Sequence, residues 1–217
     1  MSLKKYMIID LAILSIVGAI LEGIGSWACF YAFTGSVPTT VFSLLILFIA
    51  ITRWKWWGIV VIPFLVFGNY IGIASIEINH LNEYISIFNG NYVLSNILGL
   101  FSSILVIIFQ KMVGTIKFIK NNGILTLTLI SLFLIYESIR ISSYWLLGGR
   151  GYAVISANFI DIISLIMLII GSFIIRSEDM LVDMKSKLIE NTKIIDQSIS
   201  FNINEDDMDI LKEVKNI

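Results

Sequence analysis

The sequence predicts an all-α integral membrane protein with six transmembrane helices, both termini in the cytoplasm and a partly helical cytoplasmic C-terminal tail. Of its 217 residues, 57% are hydrophobic and only 14% are charged, whereas soluble domains usually contain about a quarter charged residues. The mean hydropathy is +0.89. Since so few polar side chains cannot cover a water-facing surface, most of the surface must contact lipid.

A helix needs about 20 residues, at about 1.5 Å rise per residue, to cross roughly 30 Å of hydrocarbon. Charged residues and turn signals divide the chain into six candidate spans. They run over Leu11–Phe30, Thr39–Thr52, Gly58–Ser75, Val93–Phe109, Ile124–Leu147 and Ala153–Ile175. The first is interpreted as a retained span, because no small-x-small cleavage pattern follows it.

The second candidate is the weakest, because a span over Thr39–Thr52 covers only about 21 Å at helical rise. It is either a short helix or one half of a re-entrant hairpin with the third. The stretch Asn79–Asn91 is too polar to cross a bilayer and predicts a loop.

Lysine and arginine occur in alternate connections. They are Lys4 and Lys5 before the first span, Arg53 and Lys55 before the third, Lys111, Lys117 and Lys120 before the fifth, and Arg176, Lys185 and Lys187 after the sixth. Arg150 is the sole basic residue in the other connections. Because basic residues concentrate in cytoplasmic loops, this alternation predicts both termini inside.

The chain changes character after the sixth span. We therefore divide it into a membrane domain, residues 1–176, and an acidic cytoplasmic tail, residues 177–217. Apolar residues recur in the tail at helical spacing, as at Met180, Leu181, Met184 and Leu188. A partly helical solvated tail and docking on a protein partner both fit this pattern.

Several classes of function are disfavoured by the composition. The net charge of −1 argues against nucleic acid, because binding phosphates needs a basic face. The single cysteine, Cys29, excludes an intrachain disulfide and a cysteine-built zinc site. No HExxH, GxSxG or P-loop motif occurs, and the one histidine, His80, falls in a loop. We expect no enzyme activity, no bound metal and no cofactor.

Charged residues inside spans are costly and usually mark function or a specific pairing. Four occur here, and three asparagines accompany them at similar depth. The seven residues are Glu22, Asn69, Asn96, Glu137, Arg140, Asn158 and Asp161. Counting residues from the span ends at about 1.5 Å each places all seven in the outer half of the membrane.

Helical spacing adds detail to this set. Glu137 and Arg140 are three residues apart on one helix face, with Tyr144 one turn further out. Trp27 is expected at the outer rim. An outward-facing pocket for a small molecule explains the set, with Tyr144 and Trp27 as further contacts. A purely structural ion-pair network and a proton or ion path remain alternatives.

The membrane domain resembles the substrate-binding S components of energy-coupling factor vitamin transporters. The most specific piece is Phe42–Gly58, an apolar helix that ends in Arg-Trp-x-x-Trp-Gly. The resemblance implies six helices, a vitamin bound from outside, and a partner module of one transmembrane T component and two cytoplasmic ATPases. Such proteins have a small-residue stripe on the first helix that contacts the T component; here the matching residues are Ser15, Ala19 and Gly23.

The sequence is therefore interpreted as a substrate-capture subunit for vitamin uptake in a bacterial plasma membrane. Its expected partners are the lipid bilayer, a small-molecule ligand and the transport module, and not nucleic acid. The alternative is a self-contained small carrier, or a membrane assembly or structural protein.

Overall fold

The computed structural model describes residues 3–32, 40–79, 90–113, 120–148 and 153–177, with side chains at 4–32, 40–75, 93–113, 120–148 and 161–176. Every regular element in these ranges is helical. The elements are α1 (Leu3–Ala32), α2 (Ser43–Trp54), a 3₁₀ helix (Lys55–Val61), α3 (Ile62–Asn79), α4 (Gly90–Phe101), α5 (Ile104–Val113), α6 (Asn122–Leu146) and α7 (Ala153–Ser177). All of them lie within one compact unit, Met1–Val182. The predicted tail lies, from residue 178 onward, outside the described residues.

Four apolar helical stretches in the described part of the chain are long enough to cross a bilayer. By length and composition they are Lys4–Ala32, Ser43–Ser75, Val93–Val113 and Asn122–Leu146; the second contains α2, the 3₁₀ helix and most of α3, and the third contains most of α4 and all of α5. Large apolar side chains also cover the outside of the bundle, among them Ile16 and Ile24 of α1. An extended apolar surface of this kind suits hydrocarbon better than water. The prediction of a helical fold with several helices fit to span a membrane is confirmed.

Helices α1 and α3 touch backbone to backbone at glycines. A Cβ on Gly68 would lie 2.6 Å from the Cα of Ala19, and one on Gly72 would lie 2.9 Å from the Cα of Gly23. The contacting positions increase together along both helices, so α1 and α3 run parallel. Because glycine lacks the side chain that would separate two helices, the backbones can approach this closely.

Helix α2 lies inside the bundle, where eleven of its twelve residues are buried. It is apolar on every side because it packs against α1, α3, α5 and α7. Glu22 of α1 contacts its first residue, Ser43, and Asp10 of α1 contacts its last, Trp54. Hence α1 and α2 are antiparallel. Twelve residues extend about 18 Å, so α2 is as short as the sequence predicts.

The chain reverses direction after α2 at Lys55, whose φ is 54°. The Lys55 N–H donates to the carbonyl of Ile51, and the 3₁₀ helix then brings Gly58 against α2. A Cβ at Gly58 would lie 2.6 Å from the Ile51 backbone nitrogen, so only glycine fits here. Because this turn occupies the first residues of the predicted third span, α3 begins at Ile62.

The fourth predicted span, Val93–Phe109, is interrupted in the structure. Ser102 and Ser103 separate α4 from α5, and their backbone N–H groups donate to the carbonyls of Gly99 and Leu100. These bonds reach back three residues instead of four, which tightens the turn. Glycine and serine have low helix propensity, and kinks commonly occur where they cluster.

The segments predicted as the fifth and sixth spans are helical in the structure, as α6 and α7. Asn121 caps α6 by accepting a hydrogen bond from the N–H of Ile124 at 3.1 Å. Helix α7 packs on α2, where the Leu45 side chain lies against Gly171. Helices α3 and α4 extend into both ends of the predicted Asn79–Asn91 loop, and residues 80–89 lie outside the described residues.

Candidate functional site

The polar side chains of the bundle form two layers. On α1, Asp10 belongs to one layer and Glu22 to the other. These two residues are twelve positions apart, which corresponds to about 18 Å along the helix. We call the first the basic layer; its members are Asp10, Thr52, Arg53, Trp54, Lys55 and Gln110. We call the second the acidic layer; its members are Glu22, Ser26, Thr40, Asn69, Asn96, Tyr136, Glu137, Arg140, Asp161 and Ser164.

The basic layer joins α1, the turn after α2 and α5. Arg53 Nη1 lies 3.0 Å from Asp10 Oδ1, and the Trp54 indole N–H donates to the same carboxylate. Lys55 Nζ donates to Gln110 Oε1 at 2.8 Å, and Gln110 Nε2 donates to Thr52 Oγ1 at 3.1 Å. These bonds connect α1, α2 and α5 where α2 ends, and Arg53 Nε is the one buried polar side-chain atom of this layer with no hydrogen-bond partner among the described residues.

In the acidic layer, the Glu22 carboxylate caps the first turn of α2. Its Oε1 accepts from the N–H of Val41, and its Oε2 accepts from the N–H groups of Phe42 and Ser43, each at 2.7 Å. Glu22 is fully buried. The first N–H groups of a helix have no partner within the helix, and the positive end of the helix dipole favours an anion. The carboxylate therefore satisfies donors that lipid cannot.

The Glu22 cap extends to the neighbouring helices through two contacts. Asn69 of α3 donates to Ser26 Oγ at 2.9 Å and lies 3.5 Å from Glu22 Oε1. Thr40, next to the capped residues, contacts Ser164 of α7 through its hydroxyl at 3.2 Å, and its carbonyl accepts from the Ser164 hydroxyl. The cap thus connects α1, α3 and α7 around the start of α2.

Arg140 is the only described cation of the acidic layer, and two acids contact one of its nitrogens. Its Nη2 lies 2.5 Å from Glu137 Oε2 and 3.0 Å from Asp161 Oδ2, and its Nε donates to Glu137 at 3.2 Å. Arg140 and Asp161 are buried. Glu137 Oε1 is buried and has no hydrogen-bond partner in the described part of the chain. The three groups together carry more negative than positive formal charge.

Helix α4 joins the same layer through Asn96. The Tyr136 hydroxyl donates to Asn96 Oδ1 at 3.0 Å, one turn before Arg140 on α6. A Cβ on Gly99 would lie 2.9 Å from the Tyr136 ring and 3.1 Å from Arg140 Cβ. The glycine therefore lets α4 approach α6 closely enough for this bond.

In the structure, most of the predicted site residues belong to the acidic layer, and several of them contact one another. Glu22 meets Asn69, Glu137 and Asp161 share Arg140, and Asn96 bonds to the tyrosine beside them. The geometry gives Glu22 a capping role in addition to its predicted role as a ligand contact. The side chain of Asn158 lies outside the described residues.

Two residues predicted to contact the ligand, Trp27 and Tyr144, lie away from these hydrogen bonds. Trp27 is exposed on another face of α1 and stacks near Tyr31, with ring centroids 4.8 Å apart. Tyr144 is half-buried one turn beyond Arg140. Their roles as ligand contacts stay predictions.

Three polar residues of the layer were not predicted from the sequence: Thr40, Tyr136 and Ser164. Ser164 follows Asp161 by three residues, so helical periodicity would have placed both on one face. Tyr136 adjoins Glu137 but faces α4. Thr40 gave no usable signal, because its importance comes from a contact with a residue 124 positions away.

The predicted partner stripe on α1 has two environments. Ser15 is buried, whereas Ala19 and Gly23 contact Gly68 and Gly72 of α3. Both also line an open apolar groove of about 530 Å³ between α1 and α3. Its large side chains include Ile20, Trp27 and Phe67; the other lining residues are Ile16, Ile24, Phe64, Ile71 and Ser75.

The chemistry available in the acidic layer is hydrogen bonding and ion pairing. Within the described ranges, no group of three or more His, Cys, Asp or Glu side chains is placed to hold a metal ion. Cys29 is buried on α1 as a free thiol. A ligand that brings hydrogen-bond donors would complement the carboxylates, which are acceptors when ionised.

Comparison with known proteins provides no relative from which to transfer a role: no protein-family model, curated protein or solved structure matches the chain.

Proposed function

We propose that this chain is the substrate-capture subunit of an energy-coupling factor importer and binds a small, vitamin-like nutrient. It crosses a bacterial plasma membrane six times, with both termini in the cytoplasm. The positive-inside rule then puts the basic layer on the cytoplasmic side. The acidic layer lies on the outer side, where a nutrient arrives.

The group formed by Glu137, Arg140 and Asp161 is the observation that carries the proposal. A structural arginine needs one acid, but here two carboxylates contact the same Nη2. Glu137 Oε1 is buried with no hydrogen-bond partner among the described residues, and a buried polar atom left without one costs about 1–3 kcal/mol. A ligand with an N–H or O–H donor would remove that cost by bonding to this oxygen.

The groove between α1 and α3 supports the proposed contact with a T component. Ala19 and Gly23 form part of its floor, and large apolar side chains form its rims. Small residues let a membrane helix from another chain approach closely. We assign this groove to the T component, while the two ATPases supply the energy for transport.

The test is reconstitution with and without the transport module. The chain is co-expressed with a T component and two ATPases from the same bacterium, and small molecules that co-purify with the chain are identified by mass spectrometry. We expect the chain alone to retain a nutrient, and the complete module to take that nutrient up with ATP. Co-purification of no small molecule, together with no assembly with the T component, would refute the proposal.

A self-contained carrier is the second candidate, and the interrupted helices favour it. Helix α2 begins inside the bundle at Ser43, and α4 and α5 are separated at Ser102. Carriers often use discontinuous helices at their binding sites. ATP-independent uptake by the purified chain in liposomes would support this alternative over the first.

A further inference from the structure

The three tryptophans around the turn after α2 have different environments. Trp54 is 5% exposed, and its indole N–H donates to Asp10. Trp56 and Trp57 are 56% and 60% exposed. Lys55, which lies between them and Trp54, directs its ammonium group inward to Gln110. The turn therefore presents two indole rings outward while its own lysine bonds inside the bundle.

The surroundings of the two rings combine apolar and basic groups. Val60 is exposed beside them, and Met112 is exposed at the end of α5. Lys4 and Lys111 are exposed at the same end of the bundle. Of the acids whose side chains are described, only Asp10 lies in the basic layer, and it pairs with Arg53. Among the residues whose side chains are described, this end thus has an excess of positive charge.

This combination fits the boundary between lipid chains and water. An indole ring has a large apolar face and one N–H donor, so it is best placed where one end is apolar and the other is hydrated. Tryptophan is accordingly enriched at membrane interfaces. Exposed lysines add electrostatic attraction to anionic headgroups.

We propose that Trp56 and Trp57 anchor the turn after α2 in the headgroup region of an anionic lipid leaflet, with Lys4 and Lys111 contacting the headgroups. This surface is independent of the ligand and of the transport module. It is an interaction with the bilayer itself.

The anchor also sets the depth of the Glu22 cap. Helix α2 extends about 18 Å from the turn, whereas the hydrocarbon layer is about 30 Å thick. With the turn at one interface, Ser43 lies about 12 Å short of the other interface. The N–H groups capped by Glu22 are therefore inside the hydrocarbon, where a protein acceptor must replace water. Anchor and cap fix the two ends of a helix that covers only part of the hydrocarbon layer, so the chain before Ser43 must complete the second crossing.

The test measures the depth of the two rings by fluorescence quenching in vesicles. Trp27 and Trp145 are replaced by Phe, which leaves Trp54, Trp56 and Trp57 as emitters. A matched control additionally carries Trp56→Phe and Trp57→Phe, so that only the buried Trp54 emits. Both proteins are placed in phosphatidylglycerol vesicles with nitroxide quenchers at the headgroup, near the top of the acyl chain or near its end.

We expect headgroup-level and upper-chain quenchers to quench the three-tryptophan protein severalfold more strongly than the chain-end quencher. The control should lose most of that quenching. Strongest quenching near the chain end, or quenching by aqueous iodide but by no lipid quencher, would overturn the proposal. The iodide result would mean that the turn faces water.

The charge part of the proposal is tested with Lys111→Gln in vesicles of phosphatidylglycerol or of neutral phosphatidylcholine. We expect headgroup-level quenching to be stronger in phosphatidylglycerol, and this difference to shrink in the variant. Equal quenching in the two lipids would refute the role of anionic headgroups.

Discussion

Replacing Glu22 tests the most unusual feature of the fold, a carboxylate that caps a neighbouring helix inside the bundle. Three backbone N–H groups depend on it, each at 2.7 Å. Glu22→Ala removes both acceptor oxygens. Glu22→Gln keeps one acceptor oxygen but puts an NH₂ group against backbone donors. The alanine variant should therefore be the more destabilised of the two.

The magnitude follows from the bonds lost. A hydrogen bond to a charged group contributes about 1.5–3 kcal/mol, and an unsatisfied buried donor costs about 1–3 kcal/mol. Removing the Glu22 charge also removes the cost of burying that charge, which offsets part of the lost stability. We expect Glu22→Ala to lower the free energy of unfolding by about 4–6 kcal/mol and Glu22→Gln by about 2–3 kcal/mol. For a chain of this size, these values correspond to roughly 10–20 °C and 5–10 °C in Tm.

The assay is thermal unfolding of the purified protein in one detergent, followed by circular dichroism. Ile24→Ala is the matched control, because Ile24 lies half a turn away on α1 and is exposed. Its Tm should change by only a few degrees. A Glu22→Ala variant no less stable than the Ile24→Ala control would refute the capping argument.

Three further predictions concern packing and the polar layer. Gly68→Val should lower Tm sharply, because a Cβ there lies 2.6 Å from the Cα of Ala19, whereas Gly123→Ala, whose Cβ would meet only Asn121 Oδ1 at an ordinary contact distance of 3.4 Å, should not. Ser103→Ala should raise stability by about 1 kcal/mol, because it removes a buried hydroxyl with no partner among the described residues and favours helix. Arg140→Met and Arg140→Lys should both reduce ligand retention, methionine more, since lysine keeps the charge. A methionine variant that loses only thermal stability would mark Arg140 as a structural brace.

The acidic layer shows which contacts can be predicted by counting residues along a span and which cannot. It placed Glu22, Glu137, Arg140 and Asp161 at similar depth, because helical rise is nearly constant. Spacing also predicted the contact of Glu137 with Arg140, which is local to one helix. It could not predict the cap formed by Glu22, because the capped N–H groups belong to another element. Which polar groups meet across helices depends on rotation and packing, which spacing within one helix does not specify.

The sequence by itself determined that the chain is helical and suited to lipid, because composition and the length of apolar stretches decide which solvent a helix can face. It also indicated that the second span is short. Only the tertiary structure decided that α2 is buried on all sides, since an apolar helix looks the same whether lipid or protein surrounds it. The break at Ser102 is likewise tertiary, because serine is only a weak helix breaker and the surrounding packing determines where a helix is interrupted. The parallel contact of α1 with α3 depends on glycines that meet across two helices, and neither helix specifies its partner alone.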